Sequence, residues 1–329
     1  MTASVRTVLG VVAADRLGVT DSHDHLFLTT PALPGDELDD VRDASAVLER
    51  FVHAGGRTLV QWSPHGTRRR LDALVELSAR HDVHVVAATG RHRAHVHGND
   101  APIATQSGDE LAATFIADVE HHGCGLVKVG TGRDAISPFE RESLRAAAVT
   151  TRETGVPIGV HLEGGTAAEA VLDVLAADEV DPDRVVLGHL GRNADPAAVL
   201  DAASRGAWLC LDLPTPEHGT TPGSFLTLLE LLWSHGHADR LLLGADTTTA
   251  TARALRRDAS TVPETAVLAE QRIGDDLGRR LLVDNPARAW SVRPRVGVAK
   301  PVPRAAGHRP RAEEHASWTP ASGEGRASR

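Results

Sequence analysis

Two histidines near the start of the chain are spaced so that both could serve one ligand. His23 and His25 lie in the stretch TDSHDHLFL, with Asp24 between them. Residues i and i+2 of a β-strand point to the same face, so the two imidazoles share a face and Asp24 takes the opposite one. Two interpretations remain open at this point: the shared face meets water, or the two rings bind one ligand.

Four further ionisable residues each come at or near the end of an apolar, strand-like run. Lys128 lies between two valines in GLVKVGT, His161 ends PIGVH, His189 ends VVLGH, and Asp246 ends LLLGAD. Each has a structural explanation when taken alone, such as a helix N-cap for the aspartate. Together with the two N-terminal histidines they form a donor set that suits a divalent ion of zinc, iron, manganese or cobalt.

The lysine does not fit that set in its ordinary state, because a protonated ammonium group has no lone pair to offer a metal. Burial lowers the pKa of a lysine, and the neutral amine is a nucleophile. If the amine of Lys128 captures carbon dioxide, it becomes a carbamate with two oxygens. Those oxygens could bridge two metal ions about 3.5–4 Å apart.

Eight short apolar runs supply the elements that would position these side chains. They alternate with helix-length segments rich in Ala, Leu, Glu and Arg, at a spacing of roughly 32 residues that is typical of β-α units. The predicted strands are 19–25, 57–62, 84–89, 126–130, 157–161, 184–189, 207–213 and 240–246. This pattern predicts a closed parallel (β/α)8 TIM barrel, with an open doubly wound sheet as the alternative.

The barrel prediction brings the six ionisable residues to one place. Parallel strands all end on the same face of the barrel, and active sites are built there. We therefore predict a binuclear metal site at the C-terminal ends of the strands.

The whole chain is predicted to consist of one domain and a C-terminal tail. One barrel domain is predicted over residues 1–292, closed by a single long helix over 266–290. From 293 to 329 the composition shifts to Pro, Arg, Ala, Gly and Ser, which predicts a disordered C-terminal tail.

Composition excludes several classes of protein. The net charge of −9 argues against a nucleic-acid binder. The N-terminus lacks a basic segment followed by a long apolar core, and no run approaches the ~20 apolar residues of a membrane span, so we expect a cytoplasmic protein without a membrane partner. The two cysteines, Cys124 and Cys210, lie in or beside apolar runs and are expected to be buried thiols.

Several of these motifs together resemble the phosphotriesterase family of the amidohydrolase superfamily, over about residues 5–292. The matching stretches are GVTDSHDHL, HVVAATG, GLVKVGT, GVPIGVHLEGGTAAEA, DRVVLGHLGRNAD, LLLGAD and VDNPARAW. The resemblance implies that His23, His25 and Asp246 hold a buried metal ion and that His161 and His189 hold a more exposed one. It implies that Lys128, as N6-carboxylysine, and a hydroxide bridge the two ions, which are expected to be zinc, with manganese, cobalt or iron as alternatives.

The resemblance also implies a hydrolase in which the hydroxide attacks a carbonyl or phosphoryl centre and Asp246 carries the proton. Two positions argue against a phosphotriesterase. Arg192 stands where those enzymes carry a relay aspartate, and Leu213 stands near their partner histidine. We therefore expect a small-molecule lactone or carboxylic ester as substrate, with a phosphotriester hydrolase or a non-catalytic metal-binding barrel as alternatives. The family further suggests a homodimer.

The roles of two features near the predicted site are left undecided by the sequence. Arg192 could bind an anionic group of the substrate or lie on a helix surface. The loop RHRAHVHGND carries His92, His95 and His97 where some lactonases of the family use a tyrosine, and the chain has no tyrosine. A solvated loop is expected for these three histidines, with pocket lining as the alternative.

Overall fold

An antiparallel hairpin precedes the barrel. The computed structural model describes residues 3–97, 101–215, 219–274 and 276–293, and it begins with β1 (Ser4–Thr7) paired to β2 (Gly10–Ala13). The sequence analysis did not predict this hairpin, since strands of four residues are too short to show a hydrophobic period. Val5 of β1 packs in the same apolar cluster as Trp290, near the end of the described chain.

Eight parallel strands follow, and each pairs with its neighbour in chain order. They are β3 (Thr20–Asp24), β4 (Thr58–Gln61), β5 (His84–Arg91), β6 (Leu126–Thr131), β7 (Ile158–Leu162), β8 (Val185–Gly188), β9 (Trp208–Asp212) and β10 (Leu241–Gly244). The last strand adjoins the first, and the Asp246 amide donates to the His23 carbonyl at 2.8 Å. The predicted (β/α)8 barrel is confirmed, with each predicted strand within a few residues of its expected bounds.

The alternation of side chains along each strand decides which residues face the inside of the barrel. Leu126 of β6 packs with Trp62, Val186 and Leu242 in an interior cluster, whereas Val127 and Val129 join the cluster shared with the outer helices. Because Lys128 is two residues after Leu126, it points inward. The same period places Asp212 on the inner face of β9, above Trp208 and Cys210.

Helices connect the strands and cover the sheet. They are α1 (Val41–His53), α2 (Leu71–His81), α3 (Pro102–Thr105), α4 (Gly108–His121), α5 (Pro138–Thr154), α6 (Ala168–Ala177), α7 (Pro196–Ser204), α8 (Pro222–Ser234), α9 (Ala250–Ala254) and α10 (Val262–Ile273). Their starts follow ordinary capping chemistry: the Asp40 side chain, for example, accepts from two amides in the first turn of α1. None of the described helices is long and apolar enough to cross a membrane.

The closing helix differs from its prediction. In place of one helix over 266–290, α10 ends at Ile273, with Gly274 at its C-cap. A second helical segment follows, in which α11 (Leu277–Arg279) continues through a π-helical turn (Arg280–Asp284) into α12 (Asn285–Ala289). Glycine favours helix termination, and the unbroken apolar period hid this boundary in the sequence.

The end of the described chain is tied to the barrel. The Val292 amide donates to the Ser4 carbonyl at 2.7 Å, and the Arg293 amide donates to the Gly155 carbonyl at 3.0 Å. The predicted disordered tail lies outside the described residues from position 294 onward. Both cysteines are buried free thiols, as predicted.

Candidate metal centre

The six predicted residues meet at the C-terminal ends of the strands. A pocket of about 470 Å³ opens there, and its lining includes five of them: His25, Lys128, His161, His189 and Asp246. The sixth, His23, is 1% exposed and lies beneath, with its ring stacked on Trp62 at a centroid distance of 4.0 Å.

The first group of donors consists of His23, His25 and Asp246. The Nε2 atoms of the two imidazoles lie 3.3 and 3.5 Å from Oδ1 of Asp246. Nitrogen and oxygen ligands about 2.0–2.1 Å from a tetrahedral zinc ion are themselves separated by about 3.3 Å. Each imidazole is therefore spaced from Asp246 like a neighbouring ligand of one ion, and donor atoms of all three residues lie within 4.8 Å of one another.

Partners on the far side of each ring fix which nitrogen carries the hydrogen. His23 Nδ1 donates to Asp212 Oδ1 at 2.9 Å, since an ionised carboxylate can only accept. The Ser63 hydroxyl donates to the Phe27 carbonyl, so its oxygen accepts from His25 Nδ1 at 2.8 Å. Both histidines consequently present an Nε2 lone pair toward Asp246, as a metal ligand must.

The second group consists of His161 and His189. Asp212 accepts from His189 Nδ1 at 2.5 Å, and Glu163 accepts from His161 Nε2 at 3.0 Å. These assignments leave the lone pairs on His189 Nε2 and His161 Nδ1, which face each other across 2.7 Å. Two facing lone pairs repel unless a cation is shared between them: a proton at this separation, or a metal ion at a slightly larger one. The donor set therefore fits a metal ion at this second position as well.

Burial keeps the imidazoles of His25, His161 and His189 neutral at ordinary pH. Desolvation lowers the pKa of His25 to about 4 and that of His161 to about 3, and it lowers the pKa of His189 well below its usual value. Burial alone would raise the pKa of Asp246, but positively charged neighbours, Arg192 among them, hold it well below its usual range. The centre thus offers three neutral imidazoles and an ionised carboxylate, which are the protonation states that bind metal.

Lys128 is the third component of the centre. Its side chain is buried and lines the pocket. Desolvation is the main cause that lowers its pKa to about 7; the charge of Arg93 acts in the same direction and that of Asp246 in the opposite one. A large fraction of the amine is therefore neutral at pH 7, which is the form that reacts with carbon dioxide.

Arg192 faces the pocket and not the outer surface of a helix. It ends a short 3-10 turn (Leu190–Arg192) after β8, and its guanidinium donates to Oδ2 of Asp246 and lies 3.4 Å from Oδ2 of Asp212. Its positive charge is therefore engaged by two carboxylates of the centre itself.

The expectation that the three histidines after β5 lie in a solvated loop is wrong for two of them. His92 is buried with its ring 4.6 Å from that of His161, and His97 is buried and donates from Nε2 to the His92 carbonyl at 3.1 Å. Only His95 of the three is exposed, although it too lines the pocket. Residues 98–100 of this loop lie outside the described part of the chain.

Three residues of the centre escaped the sequence analysis: Ser63, Glu163 and Asp212. Asp212 ends the apolar strand WLCLD, which is the same signal that identified Asp246. It is this residue, and not the neighbouring Leu213, that reaches the centre from β9; Leu213 packs against the outer core. Ser63 and Glu163 carried no comparable signal, because their roles depend on which ring nitrogen they contact.

The (β/α)8 fold, with histidines, carboxylates and one lysine clustered at the ends of its strands, identifies a barrel protein built to hold metal ions. A family model described as the Phosphotriesterase family matches residues 3–270, and the chain belongs to that family. It is 32% identical over 214 residues to a phospho-furanose lactonase of Mycoplasmopsis agalactiae; the match covers 58% of this chain and 61% of that protein, less than two thirds of its length.

Two solved structures extend the comparison across almost the whole barrel. A lactonase from Listeria monocytogenes superimposes with a TM-score of 0.82 at 25% identity, covering 88% of this chain and 99% of that one. A triple mutant of the organophosphorus hydrolase from Deinococcus radiodurans superimposes with a TM-score of 0.78 at 27% identity, covering 88% and 97%.

Proposed function

We propose that the chain is a binuclear metal-dependent hydrolase that cleaves a lactone or a carboxylic ester. The observation that carries this proposal is the pair of facing lone pairs on His161 Nδ1 and His189 Nε2, 2.7 Å apart, beside the separate trio of His23, His25 and Asp246. Two adjacent donor groups in one pocket support two ions. When bound, a pair of divalent ions supplies a hydroxide at neutral pH and polarises the oxygen of the bond to be cleaved.

In this proposal His23, His25 and Asp246 hold one ion, and His161 and His189 hold the other. Lys128 contributes to both as a carbamate. The neutral amine nitrogen attacks the carbon of carbon dioxide, a nitrogen–carbon bond forms as the π pair of one C=O bond moves onto its oxygen, and the proton lost from nitrogen passes to water. The anionic N6-carboxylysine that results would replace a cation beside the ions with two oxygen donors. Zinc is the expected metal, because imidazole and carboxylate donors in a tetrahedral spacing suit it.

Asp246 is proposed to carry the proton during hydrolysis. It lines the pocket, and Arg192 donates to its Oδ2 atom. Because its pKa is low, the carboxylate is ionised and able to accept a proton as the bond is attacked and to pass it to the leaving oxygen. Asp212 and Ser63 would act by holding the imidazoles in the orientation that ligation needs.

Lactone or ester cleavage is favoured over phosphotriester cleavage for two reasons. Arg192 occupies the position at which a relay aspartate was expected for the triester reaction, and the relative that is 32% identical to this chain is a lactonase. The likeness to an organophosphorus hydrolase keeps triester cleavage as the second candidate. The homodimer and the cytoplasmic location remain predictions from the sequence.

A substrate screen tests the proposal. Full-length protein purified with zinc and bicarbonate is assayed against sugar lactones with and without a phosphate group, aryl esters and a paraoxon-like triester. We expect hydrolysis of lactones or esters with kcat/KM at least about tenfold above that for the triester. A preference for the triester would favour the second candidate. Metal-loaded protein inactive on every substrate class would support a non-catalytic barrel.

A further inference from the structure

His92 has a hydrogen-bond donor that no residue in the described ranges accepts. The amide of Arg93 donates to Nδ1 of His92 at 2.7 Å, so Nδ1 is an acceptor and the ring carries its hydrogen on Nε2. His92 lines the pocket and is 7% exposed, and none of the hydrogen bonds or ion pairs within the described part of the chain involves Nε2. The Nε2–H group is therefore available to an acceptor inside the pocket.

The ring of His92 lies over the strand that carries Lys128. A Cβ atom at Gly130 would be 2.6 Å from Nδ1 and 2.8 Å from Cε1 of His92, so the imidazole fills the space of a side chain at that position. Lys128 and Gly130 are two residues apart on β6 and share its inner face. Gly130 is opposite His161 in the register of β6 and β7, and the ring of His92 is 4.6 Å from that of His161. The imidazole thus lies beside both Lys128 and the second group of metal donors.

The charges at this position agree with a close approach of His92 to Lys128. Burial is the main cause that lowers the pKa of His92 well below its usual value, and among charged groups Lys128 has the largest effect. Arg93 is a second nearby cation, but its guanidinium lies 2.7 Å from a carboxylate oxygen of Glu163, and Glu140 faces it as well. The charge of Arg93 is thus met by carboxylates, whereas the Nε2–H group of His92 still lacks an acceptor.

An N6-carboxyl group on Lys128 would supply that acceptor. The amine nitrogen bonds to the carbon of carbon dioxide, the proton lost from nitrogen passes to water, and two anionic oxygens with about four lone-pair sites result. Two bridged metal ions take one site on each oxygen, so one lone pair on each remains for a hydrogen bond.

We propose that His92 donates from Nε2 to an oxygen of the Lys128 carbamate. His92 is then a positioning residue that stabilises the modified lysine and, by lying over Gly130, covers it from solvent. The inference rests on the proposed function and names the group that holds its modified lysine. A hydrogen bond from a neutral donor to an anionic oxygen is among the stronger ones in proteins.

The dependence of carbamate occupancy on bicarbonate tests the proposal. Full-length protein supplied with zinc is titrated with ¹³C-bicarbonate, and NMR follows the carbamate carbon signal that is absent in Lys128→Ala. We expect His92→Phe, which keeps a ring but has no donor, to raise the half-saturating concentration roughly 10–100-fold, the loss typical of a charge-assisted hydrogen bond. His92→Gln, which keeps an N–H group, should recover part of the loss. His121→Phe, at the exposed end of α4, is the control.

Two results of this titration would overturn the proposal. One is an equal half-saturating concentration in His92→Phe and the unaltered protein, and the other is the absence of a carbamate signal from the unaltered protein.

A substitution that keeps the imidazole tests the position of the ring. Gly130→Ala places a methyl group 2.6 Å from Nδ1 of His92, so it should displace the ring and raise the half-saturating concentration as His92→Phe does. Gly132→Ala is the matched control, because the nearest atom to its Cβ, in Glu140, is 3.4 Å away. An unchanged concentration in Gly130→Ala would contradict the assigned position.

Hydrolysis of the preferred substrate at low and at excess bicarbonate separates this inference from the proposed function. Excess bicarbonate restores the carbamate, so kcat and KM of His92→Phe should then return to within about threefold of the unaltered values. A raised KM that persists in excess bicarbonate, with an unaltered titration, would mean that His92 binds the substrate; this overturns the inference and leaves the hydrolase standing. A weakened carbamate in His92→Phe, in a protein that hydrolyses no ester or lactone, supports the role of His92 and overturns the hydrolase.

Discussion

His161 Nδ1 and His189 Nε2 face each other across 2.7 Å, and neither nitrogen has a hydrogen to donate when Glu163 and Asp212 are ionised and burial keeps both imidazoles neutral. The contact is therefore between two lone pairs. A buried contact of that kind is unfavourable until a cation is shared between the two atoms. The carboxylates behind the rings, and not the rings alone, make this position a metal site.

Asp212 is predicted to be the main positioning residue of the centre, because it accepts from one imidazole of each donor group. Asp212→Asn should weaken zinc binding by roughly 10–100-fold, the usual cost of removing such a partner. Zinc affinity is measured by competition with a chromophoric chelator. Asp201→Asn, on α7, is the control and should leave the affinity unchanged. Unchanged affinity in Asp212→Asn would contradict the role assigned to this carboxylate.

Lys128 is predicted to carry a carbamate, and the chain offers a matched control because its only other lysine is Lys300. Protein supplied with ¹³C-bicarbonate should show one carbamate carbon signal by NMR, which persists in Lys300→Ala and disappears in Lys128→Ala. The latter variant should also lose metal and activity, with partial rescue by short carboxylic acids. Full activity in Lys128→Ala would rule out the carbamate as a functional group.

Asp246 is predicted to carry the proton, so Asp246→Asn should lower kcat by at least about 10²-fold on the preferred substrate. The amide keeps the shape of the side chain but cannot accept a proton. Zinc content is determined in the same samples, so that loss of metal is distinguished from loss of proton transfer. The exposed Asp173→Asn on α6 provides the control. Normal turnover in Asp246→Asn would show that another group carries the proton.

The sequence predicted the barrel well because fully buried parallel strands appear as continuous apolar runs, and an ionisable residue at the end of such a run stands out. Lys128 and Asp246 were found in that way. Asp212 gives the same signal, but the sequence analysis considered only the adjacent Leu213 at the end of this strand. The carboxylate partner of Arg192 and the burial of His92 depend on how loops fold over the barrel, and no local period in the sequence encodes those contacts.

A buried network beside the barrel predicts how stability depends on pH. Asp118 of α4 accepts at Oδ2 from His65, Arg69 and Thr89. Burial would raise the pKa of this carboxyl, but the hydrogen bonds from His65 and Arg69 and their charges bring it well below its usual value. The folded state therefore favours the ionised form, and the resulting stabilisation is present above the unfolded pKa of about 3.9 and is lost as the pH falls below it.

Asp118→Asn should accordingly lower the free energy of unfolding by about 3 kcal/mol at pH 7, the cost of breaking a buried ion pair. The difference from the unaltered protein should shrink between pH 4 and pH 2. Urea unfolding of the metal-free protein across this range measures it, with Asp109→Asn on the same helix as control. A difference that stays constant with pH would contradict the assigned ionisation.

The number of metal ions per chain tests the central claim most directly. The zinc content of protein purified with zinc and bicarbonate is measured by inductively coupled plasma mass spectrometry. A variant that combines His161→Ala and His189→Ala is measured alongside it. We predict about two zinc ions per unaltered chain and about one in the variant, since each donor group would hold one ion. Fewer than about one ion per unaltered chain would contradict a binuclear hydrolase.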